Sequence, residues 1–294
     1  MYKMASTYSY SGISHTQQKF SSERQYGYDF ARALAIIGMV IVNFKVVMGA
    51  ETNGPDWLVW LVGLLDGRAA ATFVVLAGVG MTLLCRSARL EDNGYLLALK
   101  LSALRKRAVF LFIFGLLYTP LWPADILHFY GFYILLGTFL INSSERKLWL
   151  SISTIIVIFL VLLLFIDYER GWNWQTLDYT DLWTVNGMIR HIFFNGFHPV
   201  FPWAAFLVAG IWLGRRDLAV AKVRNSIFLC GLAMTIFAEL VSHFLTEFML
   251  VAYPFADPVD ILHICGTAPL PPMPLYMLSA GGTALMVITL STWL

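Results

Sequence analysis

The chain has 294 residues, of which 59% are hydrophobic and only 13% charged, with a formal net charge of +2. A mean hydropathy of +0.69 is more apolar than a soluble domain requires, and uncharged runs at 148–166 and 204–213 exclude the period-two alternation of an outer-membrane barrel. So small a net charge, without a basic face interleaved with aromatics, argues against a nucleic-acid partner. The composition predicts an all-α, polytopic integral membrane helix bundle of about eight transmembrane helices.

Residues 1–28 are polar, rich in serine and tyrosine, and lack an apolar run like that of a signal peptide. They are expected to form a disordered tail ahead of a transmembrane domain over 29–294. The first predicted span, 30–48, opens with Asp29 and Arg32 one helical turn apart. Asn43 lies roughly 21 Å beyond Asp29 along a helix, about two-thirds of the way through a hydrocarbon core. Lipid offers an amide no partner, so Asn43 either bonds to another helix or lines a polar pocket. Residues 57–65 are apolar but too short to cross, and Trp57 and Trp60 suit the interface. The second span, 69–85, follows Asp66-Gly67-Arg68.

Arg86 and Arg89 close that span. The third is expected to begin inside the basic segment that reaches Arg105-Lys106-Arg107, with long side chains snorkelling outward, and to end near Tyr118 before Pro120 and Pro123. Asp125-Ile-Leu-His128 opens the fourth, which ends near Asn142. The fifth covers 148–166, and an aromatic connection carrying Tyr168, Trp172, Trp174, Tyr179 and Trp183 leads to the sixth, from about Pro202 to Gly214. That connection suits either stacking on sugar rings or anchoring at the interface. The seventh spans about 226–249. A connection with Asp257, Asp260, His263 and several prolines precedes the eighth, from Leu275. Placing the N-terminus in the cytoplasm puts sixteen Lys and Arg residues on the inner side and four (Lys45, Arg68, Arg170 and Arg190) on the outer, as the positive-inside rule requires.

This topology gathers Asp66, Arg68, Asp125, His128, His191, His198, Asp260 and His263 near the outer mouth, with Asn43 just below. His128 sits one turn after Asp125, so a carboxylate can orient its ring for general-base work, or the pair is a helix cap beside an interfacial histidine. His198 precedes Pro199 and Pro202 and is a second acid or base candidate. Glu239, His243 and Glu247 recur every four residues, on one helical face. The heptad beginning Asp125-Ile-Leu-His128 recurs at Asp260-Ile-Leu-His263, read here as coincidence. Cys85, Cys230 and Cys265 are far apart with no CxxC spacing, so neither a disulfide framework nor a metal site is expected.

The opening D-F-A-R-A-L-A-I-I-G-M-V-I-V-N at Asp29 to Asn43 resembles the first-helix motif D-x-x-R-G-x-A-(x)-G-(x)-N of a bacterial membrane group. That group comprises the YeiB-like proteins and the bacterial relatives of heparan-α-glucosaminide N-acetyltransferase, within a transmembrane acyltransferase superfamily. Three further blocks are similar to the family's segments: Asp66-Gly67-Arg68 with Phe73, Leu76 and Gly78; Asp125-Ile-Leu-His128-x-Tyr130-Gly131; and His198 to Trp203 with Gly210, Gly214 and Arg215. Ala33 stands where the motif usually has Gly, and 51–56 has none of the histidine of the glucosaminide acetyltransferase pattern, which places the chain nearer the YeiB-like branch. The family pattern continues through further helices after the Leu275 segment, whereas this chain stops at Leu294.

The resemblance implies acyl transfer, of acetyl above all, from a cytoplasmic donor such as acyl-CoA to an acceptor, often a sugar, at the outer face of a bacterial inner membrane. In that reading His128, oriented by Asp125, is the base; Asn43 and Arg68 steady the oxyanion; His198 is the second acid or base. Asp29, Arg32, Arg86 and Arg89 are the donor-binding candidates, and the other partners are membrane lipid and small molecules, with homo-oligomerisation left open. The alternative is a transporter or flippase for a small anion, sugar or lipid-linked molecule, built on Asn43 and the Glu239/His243/Glu247 stripe. A membrane scaffold without activity is the third reading.

Overall fold

The computed structural model describes residues 26–50 and 53–293. The tail expected over 1–28 lies outside the described residues as far as residue 25, as does Glu51 of the first connection. From Tyr26 onward the chain is helix α1, so the helical domain starts a few residues before Asp29.

The elements, in order, are α1 (Tyr26–Val47), α2 (Asp56–Gly63), α3 (Arg68–Leu90), α4 (Gly94–Tyr118), α5 (Leu127–Leu140), α6 (Glu145–Phe165), a two-residue antiparallel pair (Trp172–Asn173 with Asp178–Tyr179), α7 (Val185–Arg190), a π-helical turn (His191–Asn195), α8 (Val200–Leu213), α9 (Ala221–Ala252), α10 (Pro258–Cys265) and α11 (Pro274–Ser291). Eight of these helices coincide with the eight predicted spans. Among the described residues five segments are long and apolar enough to cross a membrane, and a sixth is added if α7, the π-turn and α8, bent by 47°, count as one span. The count of eight crossings therefore rests on α4, which carries Lys100, Arg105, Lys106 and Arg107, and on α5, which has only 14 residues. The protein is a multi-pass helical membrane protein.

α3 and α8 are the buried centre. α3 starts Arg-Ala-Ala-Ala-Thr, and its small side chains let neighbouring helices approach where lipid gives no hydrophobic drive to pack. The closest approach is between Gly78 and Gly210: a Cβ on Gly210 would lie 2.0 Å from the Val75 carbonyl oxygen, and one on Gly78 2.1 Å from that of Leu207. Around this seam Leu76, Phe129, Tyr133, Trp203, Leu207 and Tyr276 are fully enclosed. α11 packs on one flank of α3 with α9 laid against α11 behind it, α4 and α5 pack on another flank, and α6 closes over α8. α1 is peripheral: its fully buried residues are Tyr28, Ala31, Ala35 and Gly38, none of them in its last nine positions.

The longest connection is folded, not loose. Buried Asn195 donates to the carbonyls of Tyr168 (2.7 Å) and Arg170 (2.9 Å) and accepts from the Tyr179 hydroxyl (2.8 Å). Trp172 donates through Nε1 to the Asn195 carbonyl at 2.6 Å. Arg190 holds both carboxylate oxygens of Asp181, at 2.6 and 2.8 Å, the bidentate geometry that makes such pairs strong.

Candidate functional site

At the end of the bundle where α1 finishes and α3 begins, a cavity of about 450 Å³ lies between α1, the turn into α3, the α4–α5 connection and the turn before α8. Its polar lining is Asn43, Lys45, Asp66, Asp125 and His198. Lys45 is the last basic residue of α1, and its ammonium reaches Asp66 at 2.5 Å, so the end of α1 is fastened to the α2–α3 turn. The other Asp66 oxygen is buried and has no partner among the described residues.

Asp125 is drawn in by its own backbone. After Pro123 the chain turns into α5, and one carboxylate oxygen of Asp125 accepts from the Leu127 amide (2.9 Å), the His128 amide (3.4 Å) and the His128 ring Nδ1 (3.1 Å). This is an aspartate capping a helix start while also fixing the tautomer of a histidine one turn on. α4 and α5 come close enough for this because position 115 is glycine: a Cβ there would lie 2.3 Å from the His128 nitrogen.

His128 is fully buried, and its Nε2 has no partner among the described residues. Its ring meets Phe129 (3.9 Å between centroids) and His191 (5.4 Å, interplanar angle 20°), which also stack on each other at 5.2 Å. Asp125 thus borders the chamber, while His128 stands behind it and is absent from the lining. His198 does border the chamber, with Nδ1 buried and without a partner among the described residues, its ring edge-on to Trp203 at 4.6 Å, and its carbonyl accepting from the Tyr133 hydroxyl at 2.5 Å. The aromatic connection packs against this region: Trp172 stacks on Trp174 at 4.5 Å and meets Phe197 and His191. Outside the membrane helices, burial pushes the Tyr179 phenol up to about 12, against the opposing pull of Arg190.

The sequence candidates divide into separate groups. Asn43, Asp125 and His198 share the chamber. Arg68 does not join them: its guanidinium binds Glu239 (2.7 Å), the Ser279 hydroxyl (3.1 Å) and the Thr267 hydroxyl (3.5 Å), knitting α3 to α9 and α11. Glu239 is thereby accounted for, while His243 and Glu247 are exposed on the outer side of α9. Asp260 and His263 are exposed on α10, so the repeated heptad has no structural counterpart to the buried Asp125–His128 pair.

At the opposite, basic end the four donor candidates are not in one place. Arg32, ion-paired to Asp29 at 3.1 Å, lines a cavity of about 650 Å³ with Arg107 and Tyr130. Arg86 and Arg89 line another of about 440 Å³ with Arg215 and Glu145. Two members of the chamber, Lys45 and Asp66, were visible in the sequence but not as a pair; the signal available was a lysine closing an apolar span opposite an aspartate that precedes the next. His191 was visible too, but only the π-turn brings its ring beside His128.

No curated protein and no solved structure matches the chain. Residues 24–258 match the family described as "Heparan-alpha-glucosaminide N-acetyltransferase, catalytic", a span that holds the chamber's α1 wall, the Asp125–His128 pair and the His198 turn; the chain belongs to that family.

Proposed function

We propose that the chain is a membrane acyltransferase that moves an acetyl or other short acyl group from acyl-CoA to an acceptor hydroxyl or amine held in the chamber beside Asp125 and His198. The observation that carries this is the meeting, in one cavity, of a carboxylate fixed by three hydrogen bonds, a histidine with a free buried ring nitrogen, an amide and an ammonium. His198 takes the acceptor proton as the acceptor oxygen or nitrogen attacks the thioester carbon. The C–S bond breaks, and the CoA thiolate receives that proton. Lys45 and Asn43 stabilise the oxyanion, replacing Arg68 in that role, since fixed donors in an enclosed site stabilise developing charge most strongly. Asp125 orients the acceptor, and His128 positions Asp125 from behind.

Donor access from the basic end is supported by Arg32 and Arg107 in the second cavity, which lies along the same face of α3. The basic end would then face the cytoplasm, in a bacterial inner membrane. The test is transfer from labelled acetyl-CoA by purified protein: His198→Ala lowers kcat by about 100-fold or more, whereas His128→Ala leaves a larger residue of activity with an altered acceptor KM. A His198→Ala variant with full turnover would remove this mechanism.

A further inference from the structure

Resting on that reading, the geometry points to an amphiphilic acceptor: a hydroxyl- or amine-bearing headgroup on a hydrocarbon chain, admitted sideways from the bilayer between α1 and the α4–α5 junction. Beyond Gly38, α1 has no fully buried residue: Met39, Val42, Lys45 and Val46 are partly covered and the rest of that stretch is exposed. It packs against α3 and α11, while its approach to α4 and α5 is at most marginal. The chamber occupies the space so left, with Tyr118, Trp122 and Asp125 on its far wall.

Seven residues of α1 line the chamber, and four of them, Ile36, Met39, Val40 and Asn43, share one face, while Val42, Lys45 and Val46 continue the wall round the end of the helix. Ile36 and Val40 are 44% and 47% exposed, so the wall opens to the surroundings of the helix. Polarity is graded along it. The middle of the helix offers only aliphatic side chains, whereas the end near Asp125 and His198 offers the exposed Asn43 amide and Lys45. Asn43 makes no hydrogen bond among the described residues, and at membrane depth such an amide needs a partner. A wholly water-soluble sugar has no use for the aliphatic part, and a bare acyl chain leaves Asn43 unbonded. A headgroup beside Asn43, with its chain lying along Val40 and Ile36, satisfies both.

The experiment uses the full chain in lipid nanodiscs with a photoreactive probe, a dodecyl glucosaminide carrying a diazirine in its alkyl chain. Cross-links mapped by mass spectrometry are expected on 36–46 of α1 and on 118–127, reduced by about tenfold in Val40→Trp, which fills the window, and unchanged in Val251→Trp on the outer face of α9. In the transfer assay, dodecyl glucosaminide should be acetylated by more than about tenfold faster than methyl glucosaminide, because its chain concentrates it in the bilayer. Cross-links spread evenly over the outer faces of α6 and α9 would overturn the proposal. So would equal transfer to the methyl and dodecyl acceptors, or a second copy of the chain captured across 36–46 in place of the probe; all three outcomes leave acyl transfer itself standing. Window-specific cross-linking without transfer to any acceptor keeps the amphiphile site and removes the transferase reading.

Discussion

Gly115→Ala couples packing to chemistry most tightly. The new Cβ would stand 2.3 Å from the His128 nitrogen and 2.9 Å from its Cα and Cβ, where ordinary contact starts at 3.4 Å. The obstacle is backbone, not a movable side-chain tip, so α4 and α5 must separate by about 1 Å, the difference between 3.4 and 2.3. Overpacking of this kind costs about 1–3 kcal/mol, which at about 2–4 °C per kcal/mol lowers Tm by several degrees. A shift of about 1 Å at a positioned group costs up to about 100-fold in turnover. The assay pairs thermal unfolding in detergent with acetyl transfer on the monodisperse fraction. Gly63→Ala, whose new Cβ meets nothing within 4 Å, is the control and changes neither quantity. If Gly115→Ala transfers at the parental rate, the placement of Asp125 and His128 is not what sets the rate, and the reasoning fails.

Three further outcomes follow from named contacts. Lys45→Met leaves the Asp66 carboxylate without its ammonium and lowers both stability and transfer, and the double variant Lys45→Met/Asp66→Asn recovers at least half of the lost Tm because no buried charge is left alone. Arg68→Ala reduces stability by about 1–2 kcal/mol, tempered by the partial exposure of Glu239, while the surviving fraction keeps its kcat; a loss of kcat without loss of Tm would return Arg68 to the chemistry. The Tyr179 phenol is raised above its ordinary 10, to about 12. The unfolded chain ionises first, so its contribution is complete below about pH 10 and is lost between pH 10 and 12; the alkaline fall in Tm should therefore be smaller in Tyr179→Phe than in the parent.

Local features of this fold were legible in the sequence, and long-range pairings were not. Hydropathy located eight helical segments, and charge at their ends explains the shifts in their limits: α3 extends through Arg86 and Arg89 to Leu90, and α4 begins at Gly94 within the basic stretch, because long cationic side chains continue a helix while reaching outward. The Asp125–His128 contact is a one-turn relation that spacing alone reveals. Arg68 illustrates the opposite case. Its partner Glu239 is 171 positions away, and a motif that sets Arg68 beside Asp66 says nothing about which helix its guanidinium will face. His191 needed the π-turn, whose register change no periodicity announces, and the outward direction of His243 and Glu247 depends on how α9 rotates against α11.

The central claim is that acceptor chemistry takes place in the chamber bordered by Asp125 and His198. An electron cryo-microscopy map of the protein in nanodiscs with dodecyl glucosaminide tests it directly. The account predicts headgroup density in contact with both side chains, with the sugar beside Asn43. Density for the headgroup at the Arg68–Glu239 cluster, or at the basic end alone, with the chamber unchanged, would contradict it.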